Sequence, residues 1–151
     1  MKAALEHAGL SVSLGALNNL SGADAVVLAM PAKSIDSAGV ESLSRFVRDG
    51  GGLVALGSAA RDASEPLAKV IGARIKSHSP NFDYNVVVSD GEHPITHRIQ
   101  DFRLEDELVV LEPMAESRTL LSAWWEGKPQ PLAFVRNEGK GRVVYLANSP
   151  A

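Results

Sequence analysis

The sequence contains no cysteine, which removes disulfides, thiolate nucleophiles and Cys-ligated zinc together. It also lacks a long hydrophobic run. The longest apolar stretch, residues 23–32, still includes Asp24 and Pro31 and falls well short of the roughly 20 residues that cross a bilayer. At the N-terminus, Lys2 and Glu6 bring in charge too early for a secretory hydrophobic segment, so a cytoplasmic protein away from membranes is expected. No Lys/Arg cluster is present, and 15 basic residues against 18 acidic ones give a net charge of −3. Such a chain has no electrostatic footprint for nucleic acid.

The remaining pattern is that of a globular α/β protein. At 151 residues, with no internal repeat, low-complexity tract or linker, it reads as one domain with a core of its own. Residues 2–8 suit a short helix closed by Gly9, and residues 11–14 alternate as a brief strand would. Residues 25–30 form an apolar run of strand length, of the kind covered on both faces in a parallel sheet. Ser34 or Asp36 can cap the next helix, which carries Val40, Leu43, Phe46 and Val47 at helical spacing and stops at Gly50-Gly51-Gly52. A second buried strand, residues 53–56, leads to Gly57-Ser58, and a helix over residues 64–70 ends before Gly72. This β-α-β-α succession predicts a doubly wound sheet with right-handed crossovers. The second half is richer in strands, at residues 85–89, 119–124, 131–135 and 142–147. Gly139-Lys140-Gly141 suits a hairpin turn between the last two and lacks the spacing of a phosphate loop.

Three segments together resemble the ThuA-like (trehalose utilisation) family of the class I glutamine amidotransferase-like superfamily. The first runs from Asp24-Ala25-Val26-Val27-Leu28 to Phe46-Val47-Arg48-Asp49-Gly50-Gly51-Gly52-Leu53-Val54. The second is Glu92-His93-Pro94-Ile95-Thr96, continuing through Phe102 to Asp106-Glu107-Leu108. The third is Pro131-Leu132-Ala133-Phe134-Val135-Arg136, followed by Gly139-Lys140-Gly141-Arg142-Val143-Val144-Tyr145. The resemblance implies a flavodoxin-like three-layer sandwich with a mostly parallel sheet, and an association with carbohydrate metabolism. The family's usual first strand has no counterpart here. Either the sequence is shortened at both ends relative to the family, or the sheet edge left by the missing strand is completed by a second copy or a partner chain.

The superfamily's amidotransferases place a nucleophilic cysteine at the strand-to-helix corner, which here is Gly57-Ser58. Cysteine-dependent amidotransferase chemistry is therefore excluded where it would have to occur. Ser58 could replace the thiol only with a histidine base in reach; otherwise it caps the loop. His78 and His93, with a nearby carboxylate, have the ligand types of a zinc or similar divalent-metal site, or else His93 orders its loop. Asp106 and Glu107 are adjacent, so on a strand they would face opposite sides. Trp124 could stack on a sugar ring or belong to a hairpin. The expected site therefore draws catalytic groups from His93, Asp106, Glu107 and Ser58, and ligand contacts from Gly57, Ser58, His78 and Trp124. It would handle a carbohydrate or related small polar molecule by acid–base or metal-assisted chemistry. The alternative is a non-catalytic interaction or oligomerisation domain on the same fold.

Overall fold

The computed structural model describes residues 1–79, 83–114 and 116–148, leaving aside the side chains of Ala32 and Ser58. Helix α1 (Lys2–His7) ends as expected before Gly9, at φ +82°, and buries none of its residues. Residues 11–14 form no strand, and Leu14 is 84% exposed. Alternation alone does not make a strand where no neighbouring strand pairs with it.

Strand β1 (Ala25–Leu28) is followed by helix α2 (Ser37–Arg48) and strand β2 (Gly52–Leu56). The Asp36 carboxylate caps α2 by accepting the Gly39 N–H at 2.7 Å. Val40, Leu43 and Val47 recur at three- and four-residue spacing and are buried on its inner face. Helix α3 (Glu65–Ile71) ends at Gly72, whose φ of +87° is the left-handed stop that glycine accommodates. The two helices pack against each other and both meet strand β9 (Gly141–Leu146), so they share one face of the sheet.

The other strands are β3 (Ala73–Ser79), β4 (Tyr84–Val88), β5 (Phe102–Leu104), β6 (Leu108–Pro113), β7 (Arg118–Trp125) and β8 (Lys128–Glu138). They build a seven-stranded sheet in the order β1-β2-β9-β8-β7-β4-β5, with β3 and β6 paired separately. The α/β class holds, but the mostly parallel sheet does not. Only β1–β2 and β2–β9 are parallel; β9–β8, β8–β7, β7–β4 and β4–β5 are antiparallel. The physical reason lies in the connections. Parallel neighbours need a crossover of a dozen or more residues, whereas Glu126-Gly127 alone separates β7 from β8, and Gly139-Lys140 separates β8 from β9. The helical layer expected on the second face is likewise not built by the described residues, since α1 buries nothing.

Two prolines, Pro129 and Pro131, fall inside β8. The β9 register begins only at Ala133, so both lie on the stretch of β8 that extends beyond that ladder. The core is mainly aliphatic, with Phe134 and Tyr145 stacked at a ring separation of 5.4 Å across β8 and β9. Its arrangement brings the carboxyl ends of β1, β2 and β9 to one side of the molecule. Among the described residues, no helix is long and apolar enough to cross a membrane.

Candidate functional site

A cleft of about 320 Å³ opens where β2 and β9 end. Its walls are Pro31, Ile75, Val109 and Ala147, and its polar groups come from Gly57, Arg61, Asp106, Glu107 and Asn148. Open α/β sheets commonly have ligand crevices at the carboxyl ends of their parallel strands, and this cleft lies at that end of the parallel part of the sheet. Gly57 opens the one-turn helix that follows β2. It is packed so closely that a Cβ there would overlap the carbonyl oxygen of Ala147.

The chemistry centres on Glu107. Its Oε2 lies 3.1 Å from His78 Nδ1 and 3.4 Å from Arg61 Nη2. His78 is on β3, opposite Val109 of β6, and cross-strand partners share a face; this puts the imidazole at the rim beside a wall residue. The Glu107 and His78 side chains are each about one-third exposed, at 34% and 33%, so both are open to a ligand. A carboxylate at Nδ1 leaves Nε2 as the nitrogen available for proton transfer.

Asp106 and Glu107 do not sit on a strand. They lie in the turn between β5 and β6, where adjacent side chains can converge, and both line the cleft. Their roles diverge nonetheless. Asp106 Oδ1 accepts the Glu107 N–H at 2.7 Å, and Oδ2 accepts the Asn148 amide at 2.7 Å. Both Asp106 oxygens are thus committed to holding the turn. The buried Tyr84 hydroxyl donates to Asn148 Oδ1 at 3.2 Å. Burial pushes that phenol up to about 12 against the lowering effect of its bond to Asn148, with the nearby Asp106 charge adding to the rise. Burial also raises Tyr145, partly offset by the Arg61 charge, and its hydroxyl reaches the Gly57 carbonyl oxygen at 3.5 Å.

His93 is placed elsewhere. Strand β4 starts at Tyr84 beside Asn148 and runs away from the cleft to Val88, and His93 lies beyond that far end. Five residues of strand separate the two ends by roughly 13 Å. His93 Nδ1 accepts the Ile95 N–H at 3.2 Å, and its carbonyl accepts from Thr96 and His97, so it orders its own loop. His78 and His93 are therefore not assembled, and among the described residues no cluster of three metal-ligating side chains occurs. Trp124 is 62% exposed and does not line the cleft, while Trp125 packs against the core. The Ser58 side chain lies outside the described residues.

A larger concavity, about 970 Å³, lies between α2 and α3. Its ionic groups answer one another: Arg45 pairs with Glu41, and Arg48 and Arg136 pair with Glu138. Arg136 also donates to the carbonyls of Lys69 and Val70 at the end of α3. These groups are engaged with one another and no histidine lines that groove, so the strand-end cleft is the better candidate. Arg61, Tyr84 and Asn148 were not singled out from the sequence. Asn148 could have been found by asking which polar residue first follows the last strand, and Arg61 by following the corner beyond Ser58.

A family model described as "Trehalose utilisation" matches residues 4–148. The chain belongs to the ThuA family. Among solved structures, it is similar to a ThuA-like protein from Bacteroides uniformis, with 16% identity and a TM-score of 0.76, over 97% of this chain and 71% of that one. It is also similar to the cytoplasmic protein STM1381 from Salmonella typhimurium, with 19% identity and a TM-score of 0.72, over 92% of this chain and 66% of that one. A β-galactosidase from Rahnella sp. R3 shares 21% identity at a TM-score of 0.74; 97% of this chain aligns with 23% of the galactosidase. At these identities the likeness is one of fold. The ThuA chain spans about two-thirds to seven-tenths of the first two relatives, and a comparison with curated proteins finds no match.

Proposed function

We propose that the ThuA-family cleft binds a carbohydrate or related small polar molecule, and that Glu107 and His78 move a proton on it. The observation that carries this reading is the Glu107 carboxylate held between His78 and Arg61 at the mouth of the cleft. Glu107 would orient the imidazole through Nδ1, and His78 Nε2 would act as general base or acid. Arg61 has further N–H donors to offer hydroxyl oxygens, while Ile75, Val109 and Pro31 give an apolar wall for the ring face of a sugar. The family's description and the occurrence of the fold in a β-galactosidase chain support a saccharide over other small polar ligands. Saturation-transfer NMR with trehalose, galactose and mannose tests this, with alanine as the control. Transfer to at least one sugar, lost in His78→Ala, is the expected result. No transfer to any of the three would contradict it.

A second reading, an interaction or oligomerisation domain, is favoured by one observation. Strand β1 is a sheet edge; no charge occurs across residues 25–32, and Val27 is 38% exposed. Uncharged edges favour pairing with another chain. On this reading light scattering should give the mass of a dimer or larger assembly at micromolar concentration. A monomer mass there would set it aside.

A further inference from the structure

We propose that Asn148 is the positioning residue of the cleft: its side-chain amide fixes the turn before β6 so that Glu107 faces His78 and Arg61. The inference rests on the reading of Glu107 and His78 as the working pair, and it adds what holds that pair in place.

The Asn148 amide is heavily committed. Nδ2 donates to Asp106 Oδ2 at 2.7 Å and to the Glu107 carbonyl oxygen at 3.2 Å, while Oδ1 accepts from the Tyr84 hydroxyl at 3.2 Å. Both amide protons are used, and the oxygen is engaged. A ligand would therefore find little of Asn148 to bind. The segment it grips needs such a support. Strand β5 ends at Leu104 and β6 begins at Leu108, so residues 105–107 lie outside any ladder. Without a sheet partner, the orientation of Glu107 depends on local side-chain bonds. Those bonds are the two from Asn148 and the return of the Glu107 N–H to Asp106.

Tyr84 sets which way the amide faces. Its phenol keeps its proton throughout the neutral range and is buried beside Asn148. With that hydroxyl donating to Oδ1, Nδ2 is turned to the Asp106 carboxylate. The flipped amide would bring an oxygen against a carboxylate and leave the phenol without its acceptor. The connection thus runs from β4, through the end of β9, to the turn that carries Glu107. Asp106 is part of this support, and Glu107 is the carboxylate left to work.

The test reads the His78 tautomer by side-chain ¹⁵N NMR, with the signal assigned by its loss in His78→Gln. In the wild-type protein, at a pH where the imidazole is neutral, the proton is expected on Nδ1, facing Glu107. In Asn148→Ala this signature should be lost, with His78 reverting to the averaged spectrum of a free imidazole while the backbone amide spectrum remains that of a folded protein. Asn148→Asp, nearly isosteric, should do the same because it has no N–H to give the turn. Tyr84→Phe removes only the orienting hydroxyl and should produce a partial loss. A merely structural role for Asn148 would lower stability and leave the tautomer alone. Folded Asn148 variants that keep the proton on Nδ1 would overturn the positioning role while leaving the His78–Glu107 pair intact. A free-imidazole spectrum in the wild-type protein would instead overturn the pair itself.

Discussion

Glu107→Gln is expected to weaken binding of a sugar that the wild-type protein binds by roughly 2- to 30-fold. The substitution keeps the shape of the side chain and removes its charge. A hydrogen bond to a charged group contributes about 1.5–3 kcal/mol, against about 1 kcal/mol for a neutral one. Both neighbours lose the carboxylate they face at the same time, since His78 and Arg61 meet the same Oε2. If the ligand is also turned over, removal of a proton-handling pair reduces the rate by about 10²–10⁴-fold. Stability should change little, within ~1 kcal/mol, because the pairs are partly exposed and solvent-screened. Titration calorimetry beside urea unfolding separates the two effects. Unchanged affinity in a folded Glu107→Gln protein would remove Glu107 from the site.

Gly57→Ala should have the opposite profile, with stability falling first. The added methyl would overlap the Ala147 carbonyl oxygen and press on the Ala147 carbonyl carbon. Ala147 donates its N–H to Leu132 and is almost completely buried, so that backbone has little room to retreat. Overpacking a core commonly costs about 1–3 kcal/mol, and a clash against backbone belongs at the upper end or beyond it. For a chain of this length ~3 kcal/mol corresponds to a fall in Tm of roughly 6–12 °C. The same displacement would move Asn148, the next residue, and with it the turn that carries Glu107. A Tm within about 2 °C of wild type would show that β2 and β9 approach less closely than described.

The first half of the fold was legible because its signals are local. The apolar run before Pro31, the cap at Asp36, the spacing of Val40, Leu43 and Val47, and the stop at Gly72 each mark an element by neighbours in sequence. The direction of the sheet was less legible. Strand β9 closes a hairpin with β8 and yet lies parallel to β2, a long-range pairing that no local pattern announces. Strand β3 was missed for a related reason. Only Ala73, Ile75 and Ser79 of its seven residues are shielded from solvent, and its pairing with β6 carries an irregularity between Ile75 and Ser77.

The candidate site divides in the same way. Gly57 and the Asp106-Glu107 step could be picked out, as could His78 as a histidine near a carboxylate. Their assembly depends on the β3–β6 ribbon, which brings His78 opposite Val109. His93 belonged to one of the three segments that carry the family resemblance, yet its neighbours use it to close a turn beyond the far end of β4. Proximity in sequence to Asp106 was a poor guide there, because β4 and β5 carry the intervening loop away from the cleft. Nothing in the residue pattern distinguishes Asp106 as support from Glu107 as the free carboxylate. That difference is made by Asn148, 42 positions away from Asp106.

The most direct measurement is a backbone amide NMR titration of the intact chain with trehalose, galactose and mannose in turn. With a sugar that binds, the saturable shifts are expected at Gly57, Arg61, His78, Glu107 and Asn148, and they should saturate only at higher sugar concentration in Glu107→Gln. Saturable shifts confined to the Trp124 hairpin or to the groove between α2 and α3, with the strand-end cleft unmoved, would contradict the assignment of the site.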